Sequence, residues 1–320
     1  MWYVAGVTEP QTPAKEQDGT RSRVPPPIAL FSVLALTGSL GIAITSYALG
    51  VAWGSPASRA IAVLYMSPPM IAALLVQGPI MRAPIMRPFG IRLSMNRWFL
   101  WATFFPLLTA LLTIGLSSLL PGVQVAWTSE LFLEFHRAGL SEEDFATFSQ
   151  EIAAGGVHPV VRILLQGVMF GLTAGLLVTL GEEIGWRGFL YSRVQGSFWR
   201  RSTIVGVLWG FWYIPLVLLG QFYEDYSAVG AGMIVLWTVV ITPQIHYCRA
   251  RTGSVFAAAI FRGTLMAMVG VPFAMTQGGS PVVVGIHGAV GITASALITL
   301  ALIIYDKRFA AEPLMTPSAD

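Results

Sequence analysis

Apolar residues in this chain run in long stretches and do not alternate with polar ones at the period of a half-exposed strand or surface helix. A helix needs about 20 mainly apolar residues to cross the hydrocarbon of a bilayer. Eight stretches qualify: 28–52, 59–79, 98–120, 159–182, 202–220, 228–247, 253–275 and 281–305. They predict an all-α integral membrane protein, an eight-helix transmembrane bundle forming one domain over 28–308. Residues 1–27 mix Glu9, Lys15, Glu16, Asp18, Arg21 and Arg23 with prolines and end in Pro25-Pro26-Pro27. Without the charged-then-apolar order of a signal peptide, they are expected to form a disordered leader, and 309–320 a short tail.

The polar interruptions carry the topology. The leader, the second loop (Arg82, Arg87, Arg92, Arg97), the fourth (Arg193, Arg200, Arg201), the sixth (Arg249, Arg251) and the tail (Lys307, Arg308) are basic. The odd loops hold Arg59 and Arg137 among Glu130, Glu134, Glu142, Glu143, Asp144, Glu151, Glu224 and Asp225. Because cytoplasmic loops hold the excess of Lys and Arg, both termini are expected in the cytoplasm. In the long third loop, Ser141-Glu142-Glu143-Asp144-Phe145 reads as a helix start whose acids form a solvated face.

Composition agrees with a multipass protein. At 55% hydrophobic, 11% charged and a mean hydropathy of +0.68, 320 residues are too apolar for a soluble domain. A net charge of +3 offers no basic surface for nucleic acid. The lone Cys248 excludes an internal disulfide and a multi-cysteine metal site, and is expected as a small, half-buried thiol near a helix end.

Small residues mark where helices come close. Gly167, Gly171 and Gly175, then Gly181 and Gly185, repeat every four residues, and Gly206 and Gly210 echo them. Such spacing lets membrane helices approach closely, which places the helix around residue 182 centrally in the bundle. Pro68-Pro69, Pro106, Pro215, Pro243 and Pro272 are expected to kink or break their helices.

Inside that central stretch stand two adjacent carboxylates and an arginine, in Gly181-Glu182-Glu183-Ile184-Gly185-Trp186-Arg187-Gly188-Phe189-Leu190. Ionisable groups at bilayer depth are costly unless paired or in a wet cavity, so they mark a functional site. On a helix Glu183 and Arg187 share a face and Glu182 points about 100° away from Glu183. One acid is thus neutralised and the other left for chemistry. Counting from the nearest basic residue, Glu182 lies eleven residues from Arg193, Tyr213 twelve from Arg201 and Arg262 eleven from Arg251. At 1.5 Å per residue all three sit about 16–18 Å deep, which brings an acid, a phenol and a guanidinium to one level.

The run Glu182-Glu183-Ile-Gly-Trp-Arg187-Gly-Phe-Leu resembles the signature of the CPBP family, the CAAX proteases and bacteriocin-processing enzymes, which are intramembrane glutamic endopeptidases. Phe89-Gly90-Ile91-Arg92 is similar to the family's entry to a core helix, and Arg251-Thr252-Gly253-Ser254-Val255-Phe256 to the start of its third motif. The matches span roughly residues 89–270. The resemblance implies a CAAX-protease fold, a cavity opening from the cytoplasmic half of the bilayer, and a prenylated or lipidic substrate. It assigns Glu182, Glu183 and Tyr213 to catalytic positions and Arg187, Trp186, Trp209, Trp212, Arg262 and Met266 to the substrate site.

Two motifs depart from the family. In Val207-Leu208-Trp209-Gly210-Phe211-Trp212-Tyr213-Ile214-Pro215, Tyr213 holds the place of a histidine and Trp209 that of a phenylalanine. Further on, Arg262 holds the place of the third-motif histidine and Met266 that of an asparagine. A phenol with a pKa near 10 is a poor base at neutral pH, arginine is none, and Met266 offers no donor to an oxyanion. Three readings therefore stay open: peptide hydrolysis by the glutamates alone; a non-proteolytic enzyme using them as acid or base on an isoprenoid or terpenoid, for example in cyclisation; and a pseudoprotease that binds or regulates a membrane partner. In the second, Trp186, Trp209, Phe211, Trp212 and Phe261 would supply aromatic faces that attract cations.

The other histidines add little. His246 is shallow and reaches the glutamates only if its helix breaks at Pro243, His287 is a packed or lumen-lining residue, and His136 and His158 belong to the third loop or its edge. No spacing offers the three or four ligands zinc requires, so no metal or other cofactor is expected.

Overall fold

A computed structural model describes residues 26–51, 55–223 and 226–316; residues 1–25 of the leader expected over 1–27, and Glu224 and Asp225 in the fifth loop, lie outside them, while Pro27 already opens a helix. The protein is an all-α membrane bundle. Its helices are α1 (Pro27–Ala48), α2 (Pro56–Tyr65), α3 (Ser67–Leu75), α4 (Met86–Phe89), α5 (Arg97–Ser117), α6 (Ser129–Arg137), α7 (Glu142–Ala154), α8 (Pro159–Leu172), α9 (Ala174–Glu183), α10 (Tyr191–Arg193), α11 (Phe198–Leu218), α12 (Ser227–Thr252), α13 (Val255–Met268), α14 (Val271–Met275) and α15 (Ala289–Phe309). Their starts are written locally. Prolines open α1, α2 and α8, where a missing N–H is harmless, and the side chains of Asn96, Ser197 and Ser254 accept from backbone N–H groups in the first turns of α5, α11 and α13. Ser141 caps α7 through Asp144 N at 3.1 Å, as its acid run predicts.

Seven described helices are long and apolar enough to cross a membrane, counting 56–80 and 255–275 as one each. The fourth predicted crossing, 159–182, is in pieces. At Thr173 the backbone leaves the helix (φ −122°, ψ −102°) and the hydroxyl donates back to Met169 O at 2.6 Å. Beyond α9 the chain widens into a π-helical turn, Ile184–Leu190, before α10. The last predicted stretch is shortened instead: residues 281–288 form a loop with Gly285 at φ +92°, and α15 begins only at Ala289. The one sheet among the described residues is a clasp of β1 (Gln124–Val125) and β2 (Thr276–Gln277), which ties the third loop to the chain after α14.

α13 is the most enclosed crossing, with 67% of its span buried. The glycine series explains how α8 and α9 reach it. A Cβ on Gly171 would sit 2.6 Å from Thr264 Cα, and one on Gly263 would sit 2.6 Å from the carbonyl carbon of Gly175. Gly206 and Gly210 admit α12 in the same way, and Gly185 admits the backbone of Pro69. α12 runs unbroken through Pro243, and Cys248 on it is fully buried, not half-buried. The turn Gly90-Ile91-Arg92 docks on the start of α13: Arg92 Nε donates to Gly253 O at 3.1 Å, and Ser254 Oγ donates to Arg92 O at 2.5 Å.

The end of the chain is strapped to the bundle. Buried Asp306 accepts from Tyr247 Oη (2.7 Å), Arg251 Nη2 (2.9 Å) and the backbone N–H groups of Leu314 (2.9 Å) and Met315 (2.7 Å), while Trp199 Nε1 donates to Met315 O at 2.8 Å. Removing a charge that satisfies several donors leaves them unpaired. Asp306→Ala is therefore expected to release residues 310–316, read as cleavage after Arg308 by added trypsin at least about tenfold faster than in the unaltered protein.

Candidate functional site

Four helical segments contribute. α9 ends in Glu182 and Glu183, the π-helical turn carries Trp186 and Arg187, α11 carries Trp209, Trp212 and Tyr213, and α13 carries Arg262 and Met266. Glu182, Glu183 and Arg187 are fully buried, and Tyr213 and Arg262 nearly so. The equal depths counted along three helices correspond to real proximity. Arg262 Nε lies 2.6 Å from Glu182 Oε1, and Arg262 Nη2 donates to Tyr213 Oη.

Glu183 Oε1 accepts from Arg187 Nη1 at 2.9 Å, the i,i+4 pair the sequence predicts. The other end of that guanidinium donates to Thr242 Oγ1 on α12 at 3.3 Å, and Arg249 Nε donates to Arg187 O at 3.1 Å. Thr242 and Arg249 were not foreseen, since nothing in their neighbourhood distinguishes a threonine packed on an arginine from any other helical threonine. Between the two ion pairs lies the indole of Trp209, with Arg187 Cζ 4.1 Å and Arg262 Cζ 5.6 Å from its ring centre. Two acids, two guanidiniums, a phenol and an indole thus form one enclosed cluster. The Glu182 contact is a charge contact only: neither of its oxygens accepts a well-directed hydrogen bond among the described residues.

The remaining predicted residues are placed differently. Trp186 packs edge-on against Phe31 of α1 and Trp212. Trp212 donates from Nε1 to Ser39 Oγ at 2.6 Å, and its carbonyl accepts from Tyr65 Oη at 2.5 Å. Phe211 is half exposed on the outside of the bundle, so it does not join the aromatic wall expected of it, and Phe261 packs toward Phe105. Along a helix that interleaves six aromatic residues with small ones, sequence does not say which faces inward. His246 is held by Ser202 Oγ at 3.1 Å beside Tyr191, away from the glutamates because α12 does not break.

Two cavities adjoin the cluster. A small one of ≈ 90 Å³ is lined by Tyr213, Arg262, Met266, Tyr65, Gln221 and His287, among others. His287 enters from the loop before α15, between the rings of Phe222 and Trp237 at 4.4 Å each. This hollow lies toward the C-terminal ends of α11 and α13, away from Arg200, Arg201 and Arg251. A larger groove of ≈ 370 Å³ runs between α2–α3 and α9, lined by Val63, Met66, Met70, Leu177, Leu180 and Ile184 with Gly181 and others. Met66, at the break between α2 and α3, lines both.

Comparison with known proteins points the same way as the motifs. Residues 164–268 match the family model described as type II CAAX prenyl endopeptidase Rce1-like. The matched segment contains the glutamate pair, Tyr213 and Arg262. Over 155 residues the chain is 25% identical to the CAAX prenyl protease 2 of Methanococcus maripaludis, a match that covers 43% of this chain and about half (51%) of that relative. The chain is a multipass membrane protein that, over this segment, is similar to CAAX prenyl endopeptidases.

Proposed function

We propose that this protein uses a CAAX-protease-like scaffold to bind a prenylated or otherwise lipid-bearing membrane substrate without hydrolysing its peptide bonds. The observation that carries this reading is the joint use of the two substituted positions. Arg262 and Tyr213, standing where the motif histidines belong, are bonded to each other, and Arg262 is paired with Glu182. A general base must lie within about 2.6–3.2 Å of the water it deprotonates, and its loss typically costs 10²–10⁴-fold. Here the nearest polar neighbour of each glutamate is a guanidinium, and neither Tyr213 nor Arg262 can replace a histidine as base at neutral pH.

The groove between α2–α3 and α9 supports the lipid half of the proposal. It is lined almost wholly by aliphatic and methionine side chains, and Gly181 and Ile184 on its wall flank the glutamate pair. Thioether and aliphatic surfaces of this kind adapt to an irregular hydrocarbon chain. Acid–base chemistry on an isoprenoid is less well served, because the indole that would face a carbocation, Trp209, already carries the Arg187 guanidinium at 4.1 Å.

The test uses the full chain in liposomes with a farnesylated CAAX-type peptide carrying a photoactivatable group on the prenyl chain. Crosslinking that free farnesol competes away, with no peptide cleavage, is expected. Cleavage that disappears in Glu182→Gln would establish a hydrolase instead, and an absence of crosslinking would remove the lipid-binding half of the proposal.

A further inference from the structure

A further cavity lies away from the glutamates. A groove of ≈ 440 Å³ lies between α5 and α15, walled by Trp98, Trp101, Phe105, Leu108 and Leu112 on one side and by Leu297, Ile298, Ala301, Leu302 and Tyr305 on the other. The three- and four-residue spacing on both helices makes it one continuous seam, parallel to the helix axes. From Leu297 to Arg308 it extends about 16 Å, close to one leaflet of a hydrocarbon core about 30 Å thick.

Its ends differ in charge. One turn before Trp101 stands Arg97, and three residues after Tyr305 stands Arg308, both exposed on the faces that carry the groove. Arg97 Nη2 donates to Tyr305 Oη at 3.0 Å across the mouth. Among the described residues neither arginine takes part in an ion pair, and the neighbouring acid, Asp306, is buried and already engaged by Arg251, Tyr247 and the strapped chain end. Beyond Leu112 and Leu297 no charged side chain follows within two turns on either helix.

We propose that this groove binds one anionic phospholipid, with an acyl chain along the seam and the phosphate between Arg97 and Arg308. The complementarity is of two kinds at once: a cationic mouth of two forked donors suits a phosphate diester, and a dry aromatic and aliphatic trough of one-leaflet length suits its acyl chain. Trp101 and Tyr305 border the mouth, where amphipathic rings sit at the level of lipid headgroups. The glutamate cluster contributes nothing to this site, so the proposal stands or falls independently of the prenyl-binding reading.

Native mass spectrometry of the delipidated full chain, offered equal amounts of phosphatidylglycerol and phosphatidylcholine with identical acyl chains, tests it. One retained phosphatidylglycerol is expected, favoured over phosphatidylcholine by at least about fivefold. Arg97→Ala with Arg308→Ala, both surface changes that leave the core intact, is expected to bring the two lipids to equal retention. Ala301→Phe, which fills the trough with the arginines in place, is expected to lower retention of both. Equal retention by the unaltered protein, or a preference that survives the arginine pair's removal, would overturn the proposal.

Discussion

Replacing Arg262 with Met is expected to cost about 3–5 kcal/mol of stability, the range for stripping one partner from a buried ion pair. The reason lies in what stays behind. Glu182 is fully enclosed and its closest partner is Arg262 Nε at 2.6 Å, so the substitution leaves a carboxylate with no water and no cation of its own. Tyr213 loses its donor at the same time. Adding Glu182→Gln should return most of the loss, because an uncharged amide is far cheaper to bury than an unpaired carboxylate. Thermal unfolding of the two single variants and the double variant in one detergent measures the coupling. Additive losses, with no rescue in the double variant, would mean that Glu182 is neutralised by something other than Arg262.

Gly263→Val is expected to pry α13 from α9. Even a Cβ at that position would lie 2.6 Å from the backbone carbonyl carbon of Gly175, and backbone cannot rotate aside as a side chain can. Overpacking ordinarily costs about 1–3 kcal/mol, and a backbone-to-backbone clash belongs at or beyond the upper end. α13 would be forced from α9, and Arg262 from Glu182 with it. Loss of a monodisperse elution peak would report this, with Gly232→Ala, whose added atom meets nothing within 4 Å, as the matched control.

Much of this architecture was legible in the chain because bilayers leave few choices. An apolar run of crossing length must be a helix, and an acid inside one must find a partner. That is why counting residues from the flanking arginines brought Glu182, Tyr213 and Arg262 to one level, and why the Glu183–Arg187 pair followed from spacing alone. Hydropathy does not report continuity. Residues 159–182 read as one crossing, yet Thr173 satisfies its own hydroxyl within the preceding turn and the helix restarts at Ala174. Residues 281–288 are as apolar as the helix they precede, but Pro281, Gly285 and Gly288 favour turns, and the bonds are local: the N–H groups of Val283 and Val284 donate to Ser280 O, and that of Gly288 to Gly285 O.

The formal charges of Glu182, Glu183, Arg187 and Arg262 sum to zero. An electric potential acts on net charge, at about 2.3 kcal/mol for each elementary charge carried fully across 100 mV, and a balanced quartet offers it no handle. Energising or collapsing the membrane therefore leaves the unaltered site undisturbed. Deleting one guanidinium places a single uncompensated negative charge partway through the bilayer, so such variants should become sensitive to voltage in a way their parent is not.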